Sequence, residues 1–320
     1  MKKILCTILV LAISLAMLAA CTTPSAVQSQ APASSPAKAA SIAVPVVPEV
    51  TGLAHVGIFV SDVERSKKFY KDTLGLELIE QCSFDDSGNT YTCAFIKKGS
   101  VCLELVQKKP EWGKLGDGVT DHVAFAVNDV DAFRKVLEGK GIKFESEQQA
   151  FCEDMFPHGT KWVFFRGPDN EHIELNQMLS SSTTVPDVPQ ITGLAHIGVF
   201  VADVERSEEY YKDILGFNCV EECSFDDSGN TYTCYFVEKG NVCVELVEKK
   251  PAWGELKDGV TDHIAYAVDD IEALRKVLEV KGIKFESDKQ SFCADMFPNG
   301  TKWVFFRGPD NEHIEISQIL

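Results

Sequence analysis

The chain has 320 residues, is 45% hydrophobic and carries a formal net charge of −17. That length accommodates about two ordinary domains. The acidic balance, with no basic stripe and no Lys/Arg cluster interleaved with aromatics, leaves no footprint for nucleic acid.

The chain opens on Lys2 and Lys3, followed by an uncharged apolar run from Ile4 to Met17. A membrane-spanning helix needs about 20 apolar residues, so this shorter run reads as the core of a signal peptide, residues 1–20. It ends in Leu18-Ala19-Ala20-Cys21, which resembles the lipobox of bacterial lipoproteins. The resemblance implies lipidation at Cys21 and an extracytoplasmic protein anchored to a bacterial membrane. Residues 21–50, rich in Ala, Pro, Ser and Val, cannot bury enough apolar surface to fold and are expected to be a disordered stalk.

The remainder is duplicated. TGLAHVGIFV at Thr51 returns as TGLAHIGVFV at Thr192, an offset of 141 residues. CSFDDSGNTYTC at Cys82 and TKWVFFRGPDNEHIE at Thr160 return unchanged at Cys223 and Thr301. Two domains are therefore expected, at 51–179 and 192–320, with a linker at 180–191. The mature chain reads as a monomeric pseudo-dimer.

Within a repeat, Leu53 to Val60 alternates as a strand. Ser61 or Asp62 caps a helix reaching about Leu74, which Gly75 ends. Leu76 to Phe84, Thr90 to Lys97 and Val101 to Gln107 read as strands, with turns at Ser87-Gly88 and Lys98-Gly99. The pattern restarts at Thr120 with a strand to Val127 and a helix from Asp129 to about Lys140. Strands near Ile142, Trp162 and His172 follow. The expected fold class is α+β, with four βαβββ modules paired in tandem in two domains.

Polar residues stand isolated between apolar ones on these strands. His55, Glu104, His122 and Glu174 correspond to His196, Glu245, His263 and Glu315 in the second repeat. Alternate strand residues share a face, and an unpaired buried carboxylate is costly. Two carboxylates and two imidazoles on converging faces point to a divalent cation, with zinc, nickel and manganese all suited to mixed nitrogen and oxygen donors. His172 and His313 share the face of the final Glu, as supports of the site, as substrate contacts, or as solvated residues beside the Pro-Asp-Asn turn.

Paired βαβββ modules that open on GLAHVGIFV and close on FFRGPDNEHIEL resemble the vicinal oxygen chelate superfamily, which includes glyoxalase I, epimerases, extradiol dioxygenases and bleomycin-resistance proteins. The resemblance implies sheets curled into cups and a metal held by residues of each module's first and fourth strands, here His55, Glu104, His122 and Glu174 with their second-repeat counterparts. It implies a small-molecule substrate with adjacent oxygens and lyase or isomerase chemistry like that of glyoxalase I. Glu174/Glu315 or Glu104/Glu245 would be the catalytic proton carriers. The alternative is a non-catalytic protein that captures a small molecule or metal chelate, like the bleomycin-resistance members. An extracytoplasmic location and the lack of a basic cluster for phosphates do not favour glutathione or CoA substrates. A cup could be built within one domain, or be shared so that His55 and Glu104 meet His263 and Glu315.

A two-residue turn at Ser87-Gly88 sets Cys82 opposite Cys93, and Cys223 opposite Cys234 in the second repeat. Outside the cytoplasm these pairs can form cross-strand disulfides. Free half-buried thiols and thiolate metal ligands are the other options. A turn at Lys98-Gly99 would set Cys93 opposite Glu104.

Overall fold

The computed structural model describes residues 48–181 and 188–320. The expected signal peptide, the expected lipidation at Cys21 and most of the expected stalk fall outside the described residues. No helix among the described residues is long and apolar enough to cross a membrane.

The first repeat runs β1 (Val50–Val60), α1 (Val63–Leu74), β2 (Glu77–Asp86), β3 (Asn89–Lys98) and β4 (Val101–Lys109), then β5 (Thr120–Val127), α2 (Val130–Gly139), β6 (Ala150–Cys152), β7 (Thr160–Arg166) and β8 (His172–Met178). The second repeats it as β9 (Ile191–Val201), α3 (Val204–Tyr210) with a π turn over Tyr211–Leu215, β10 (Asn218–Asp227), β11 (Asn230–Lys239) and β12 (Val242–Lys250). It closes with β13 (Thr261–Val268), α4 (Ile271–Val280), β14 (Ser291–Cys293), β15 (Thr301–Arg307) and β16 (His313–Ile319). The Asp62 side chain accepts from the amides of Glu64 and Arg65 to start α1, and Gly75, at φ 75°, ends it in the left-handed region.

The strands form two curved, barrel-like sheets of eight. One has the order β14-β15-β16-β13-β1-β4-β3-β2, the other β10-β11-β12-β9-β5-β8-β7-β6. Each sheet therefore takes one module from each repeat. At the seam β1 runs antiparallel to β13, with Gly57 opposite His263. Its twin seam joins β5 to β9, with His122 opposite Gly198. Of the two arrangements the repeat permits, this is the shared one.

The connections after β4 and β12 carry the chain from one sheet to the other and meet at a pseudo-twofold axis. There the Val119 amide donates to the Lys257 carbonyl (2.7 Å) and the Val260 amide to the Gly116 carbonyl (2.9 Å). Gly118 and Gly259 touch backbone to backbone, and a Cβ added to Gly118 would lie 2.3 Å from the Gly259 nitrogen. Apolar residues of both repeats, among them Val56, Leu105, Phe125, Ile197 and Ile264, form one continuous core between the sheets and helices.

Two local expectations are corrected. The β3–β4 turn falls at Gly99-Ser100, with Lys98 opposite Val101, so Cys93 faces Val106 and Phe95 faces Glu104. The shift changes the pairing by two residues and keeps every side chain on its face. No strand forms at Ile142. Phe144 makes a single bridge to Phe165, and the edge strand is the short β6. The polar run Glu145 to Gln149 lacks the alternation needed to extend it.

Candidate metal centres

Each sheet brings four of the expected residues together inside its curve. In the β1/β13 sheet, His55 on β1 and Glu104 on β4 meet His263 on β13 and Glu315 on β16. His55 Nε2 lies 3.2 Å from Glu104 and 3.8 Å from Glu315. His263 Nε2 lies 3.5 Å from Glu104 and 3.7 Å from Glu315. In the β5/β9 sheet, His122 Nε2 lies 3.3 Å from Glu174 and 3.4 Å from Glu245, and His196 Nε2 lies 3.5 and 3.3 Å from the same two groups. The paired imidazole nitrogens approach to 3.3 and 3.2 Å. All eight residues are buried.

These spacings fit one ion per cup. Donors about 2.1 Å from a metal are separated by about 3.0 Å at right angles and about 3.4 Å in a tetrahedron. Three donors of each set, His55, His263 and Glu315 in one cup and His122, His196 and Glu245 in the other, lie mutually within 4.8 Å, a spacing one cation can bridge, with Glu104 and Glu174 beside them.

Neighbouring groups orient the rings. His122 Nδ1 donates to Asp121 Oδ2 (3.0 Å), and His172 Nδ1 donates to the same oxygen (2.8 Å). His172 Nε2 reaches Glu145 Oε2 (3.2 Å), and Arg166 pairs with both Glu145 and Asp117. The twin is His263–Asp262–His313–Glu286 (2.9, 3.0 and 3.2 Å), closed by Arg307. His172 and His313 thus share the Asp121 and Asp262 carboxylates with the candidate ligands His122 and His263, and both also line the cavities. Holding the proton on Nδ1 frees Nε2 for the cup. Asp121 and Asp262 were not singled out from sequence, although both immediately precede a candidate ligand.

Gly57 and Gly198 were missed as well. A Cβ on Gly57 would lie 2.0 Å from Cε1 of His263, and one on Gly198 would lie 1.9 Å from Cε1 of His122. The signal was present: a glycine inside a strand marks a close approach, here by the ring of the opposite repeat.

The ion-free charge balance is extreme. Burial pushes the His122 and His263 imidazoles down, but hydrogen bonds to Asp121 and Asp262, and to Glu245 and Glu104, outweigh it and raise both to about 10. His196 is raised to about 9, with burial opposed by the Glu174 and Glu245 charges. Burial opposes ionisation of Glu104 and Glu245, yet the paired imidazoles hold both well below the usual carboxylate range. Burial raises Glu315. Without a cation, protons on the imidazoles neutralise the carboxylates; a bound cation would displace them.

The Glyoxalase/Bleomycin resistance protein/Dioxygenase superfamily model matches residues 52–175 and 193–316. The chain belongs to this superfamily. It is 24% identical over 311 residues to a protein named glyoxalase I from Saccharomyces cerevisiae, covering 82% of this chain and 91% of that one. It is 26% identical over 309 residues to lactoylglutathione lyase of Schizosaccharomyces pombe, covering 82% and 95%. The fold matches the crystal structure of glyoxalase I from Zea mays with a TM-score of 0.62 at 20% identity, over 83% of this chain and 92% of that one.

A cavity opens over each four-residue cluster, about 750 Å³ in one sheet and 810 Å³ in the other. Their size suits a small molecule. Phe59 stacks on Trp112 at 3.8 Å and Phe84 on Tyr91 at 5.5 Å along one wall; Phe200–Trp253 and Phe225–Tyr232 repeat this in the other cup.

The cysteine register is as expected, Cys82 opposite Cys93 and Cys223 opposite Cys234, but the disulfides are not formed: all four are free thiols. They pack as small apolar groups, with Cys293 of the second repeat in the Cys82/Cys93 cluster and Cys152 of the first against the Cys223/Cys234 cluster.

Proposed function

We propose that the chain is a divalent-metal-dependent lyase or isomerase of the glyoxalase I type, with two sites that each draw residues from both repeats. The observation that carries this is the convergence of His55, Glu104, His263 and Glu315, and of His122, Glu174, His196 and Glu245, into clusters whose contacts span 3.2–3.8 Å. A divalent ion held by either set, zinc, nickel or manganese, would supply a Lewis acid that aligns two neighbouring substrate oxygens.

The protein's own groups do the rest. Asp121 and Asp262 keep the His122 and His263 rings turned with Nε2 inward. The carboxylates flank the reacting carbon from the two repeats, and one of them moves its proton. Glu315, buried on β16 and brought to the cup beside His55 and His263, is assigned this role in its pair. Glu174 takes the equivalent place in the other cup, with Oε1 fixed by the Asn176 amide (2.7 Å).

The test is turnover. Metal-loaded protein should convert an α-keto hemithioacetal or a related α-hydroxy carbonyl compound, and replacing Glu174 and Glu315 with Gln should abolish it. Stoichiometric ligand binding without any turnover would favour the alternative, a capture protein. Absence of stoichiometric metal would sink the metal-dependent reading.

We also propose that the protein works outside the cytoplasm, anchored through lipidated Cys21. The Leu-Ala-Ala-Cys sequence supports this. Cys21→Ser should release the protein from membranes; unchanged retention would refute it.

A further inference from the structure

We propose that both cups select a neutral or cationic ligand with an aromatic body, and disfavour the anionic glutathione adducts and CoA esters that the lyase reading first suggests. This rests on the cups being the ligand sites, and adds the charge and shape of what enters.

Charge carries the first part. The β1/β13 cup is lined by six carboxylates and a single ammonium, Lys97. The β5/β9 cup is lined by six carboxylates and no Lys or Arg, and the position of Lys97 is taken there by Glu238. Glu286 of the first lining is matched by Arg307 and Asp117 of the second by Arg166, so five carboxylates in each are unmatched by a guanidinium, and one divalent ion still leaves each lining net negative. The nearby guanidiniums are not free to meet an anion, because Arg166 pairs with Asp117 and Glu145, and Arg307 with Asp258 and Glu286. Among the described residues, Asp86 and Asp227, at the hairpin tips over the two cups, have no ion-pair partner. A glutathione adduct would bring two carboxylates against one ammonium, and a CoA ester several phosphate charges, into this field.

Shape carries the second. The stacked aromatic pairs line each cup beside the buried, inward-aimed donors, and among the described residues the Phe84/Tyr91 and Phe225/Tyr232 rings carry no cation. Ring faces attract cations, and this wall shows it: Trp112 and Trp253 are covered on one face by Phe59 and Phe200 and hold Lys108 (4.5 Å) and Lys249 (4.4 Å) over the other.

The experiment compares two catechols with the same ring and vicinal oxygens but opposite charge, dopamine and 3,4-dihydroxyphenylacetate. S-hexylglutathione serves as the anionic thiol probe. Binding to the purified full-length chain is measured by tryptophan fluorescence, metal-loaded and metal-stripped, at low and high salt. We expect the ammonium probe to bind about tenfold more tightly than its carboxylate twin at low salt, with the ratio shrinking as salt screens the rim. The preference should persist without metal. Asp86→Asn with Asp227→Asn should reduce it several-fold at unchanged metal content. Equal binding of the twins, tighter binding of the carboxylate or glutathione probe, or a preference untouched by the Asn pair would each overturn the proposal. The readout is binding, so a lack of turnover would refute the proposed reaction and leave this inference standing.

Discussion

Replacing Gly57 with Ala should disable one metal centre and spare the other. The new Cβ falls 2.0 Å from Cε1 of His263, where ordinary contact begins near 3.4 Å. The ring must therefore retreat by about 1.4 Å, while a metal–ligand distance tolerates only about 0.2 Å. Retreat is blocked on the far side by the 2.9 Å hydrogen bond to Asp262. Overpacking of this kind costs about 1–3 kcal/mol, and losing the charge-assisted hydrogen bond about 1.5–3 kcal/mol more. His122 sits in the other sheet against Gly198 and is not disturbed. Elemental analysis should therefore fall from two ions per chain to one, with a lower melting temperature. Gly198→Ala should mirror the result, and the double variant should bind none. Two ions held by Gly57→Ala at wild-type affinity would show that His263 is not a ligand, or that the seam is not formed as described.

Three further outcomes are expected. Asp121→Asn removes the anion that fixes the His122 ring, and metal affinity of the β5/β9 centre should drop about 10–100-fold; chelator competition measures it, and an unchanged affinity would refute the orienting role. In the ion-free protein His122 and His263 are raised from 6.5 to about 10, so their stabilisation is full below about pH 6.5 and is lost as pH rises through 10. Chelator-treated protein should lose melting temperature across that window, and metal affinity should rise across it because binding displaces protons; a flat response of both would contradict the charge balance. Residues 51–179 alone place β1–β4 and β5–β8 in different sheets, so the isolated repeat should hold metal only as a dimer. A monomeric fragment binding one ion through its own four residues would refute the shared assembly.

Much of this protein was legible in the residues themselves. Strand alternation placed His55, Glu104, His122 and Glu174 on inward faces, because side-chain direction follows parity. Asp62 and Gly75 bounded α1 through local hydrogen bonds and a left-handed cap. Ser87-Gly88 set the Cys82/Cys93 register, because a two-residue turn leaves one pairing open. These are short-range effects, complete within about ten residues of chain. The partner across each seam was not legible. β1 can meet β5 or β13 through nearly the same contacts, because the repeats match, and linkers of similar length permit both. Tertiary structure decides it where the connections cross at Gly118 and Gly259, and only the resulting seam explains why Gly57 must leave room for His263. The roles of Asp121 and His172 were equally hidden, since their partners depend on β5 lying beside β8. The cysteines mark the same boundary: local register brings Cys82 to Cys93, but packing with Cys293 from the other repeat surrounds them in a cluster that no single hairpin contains.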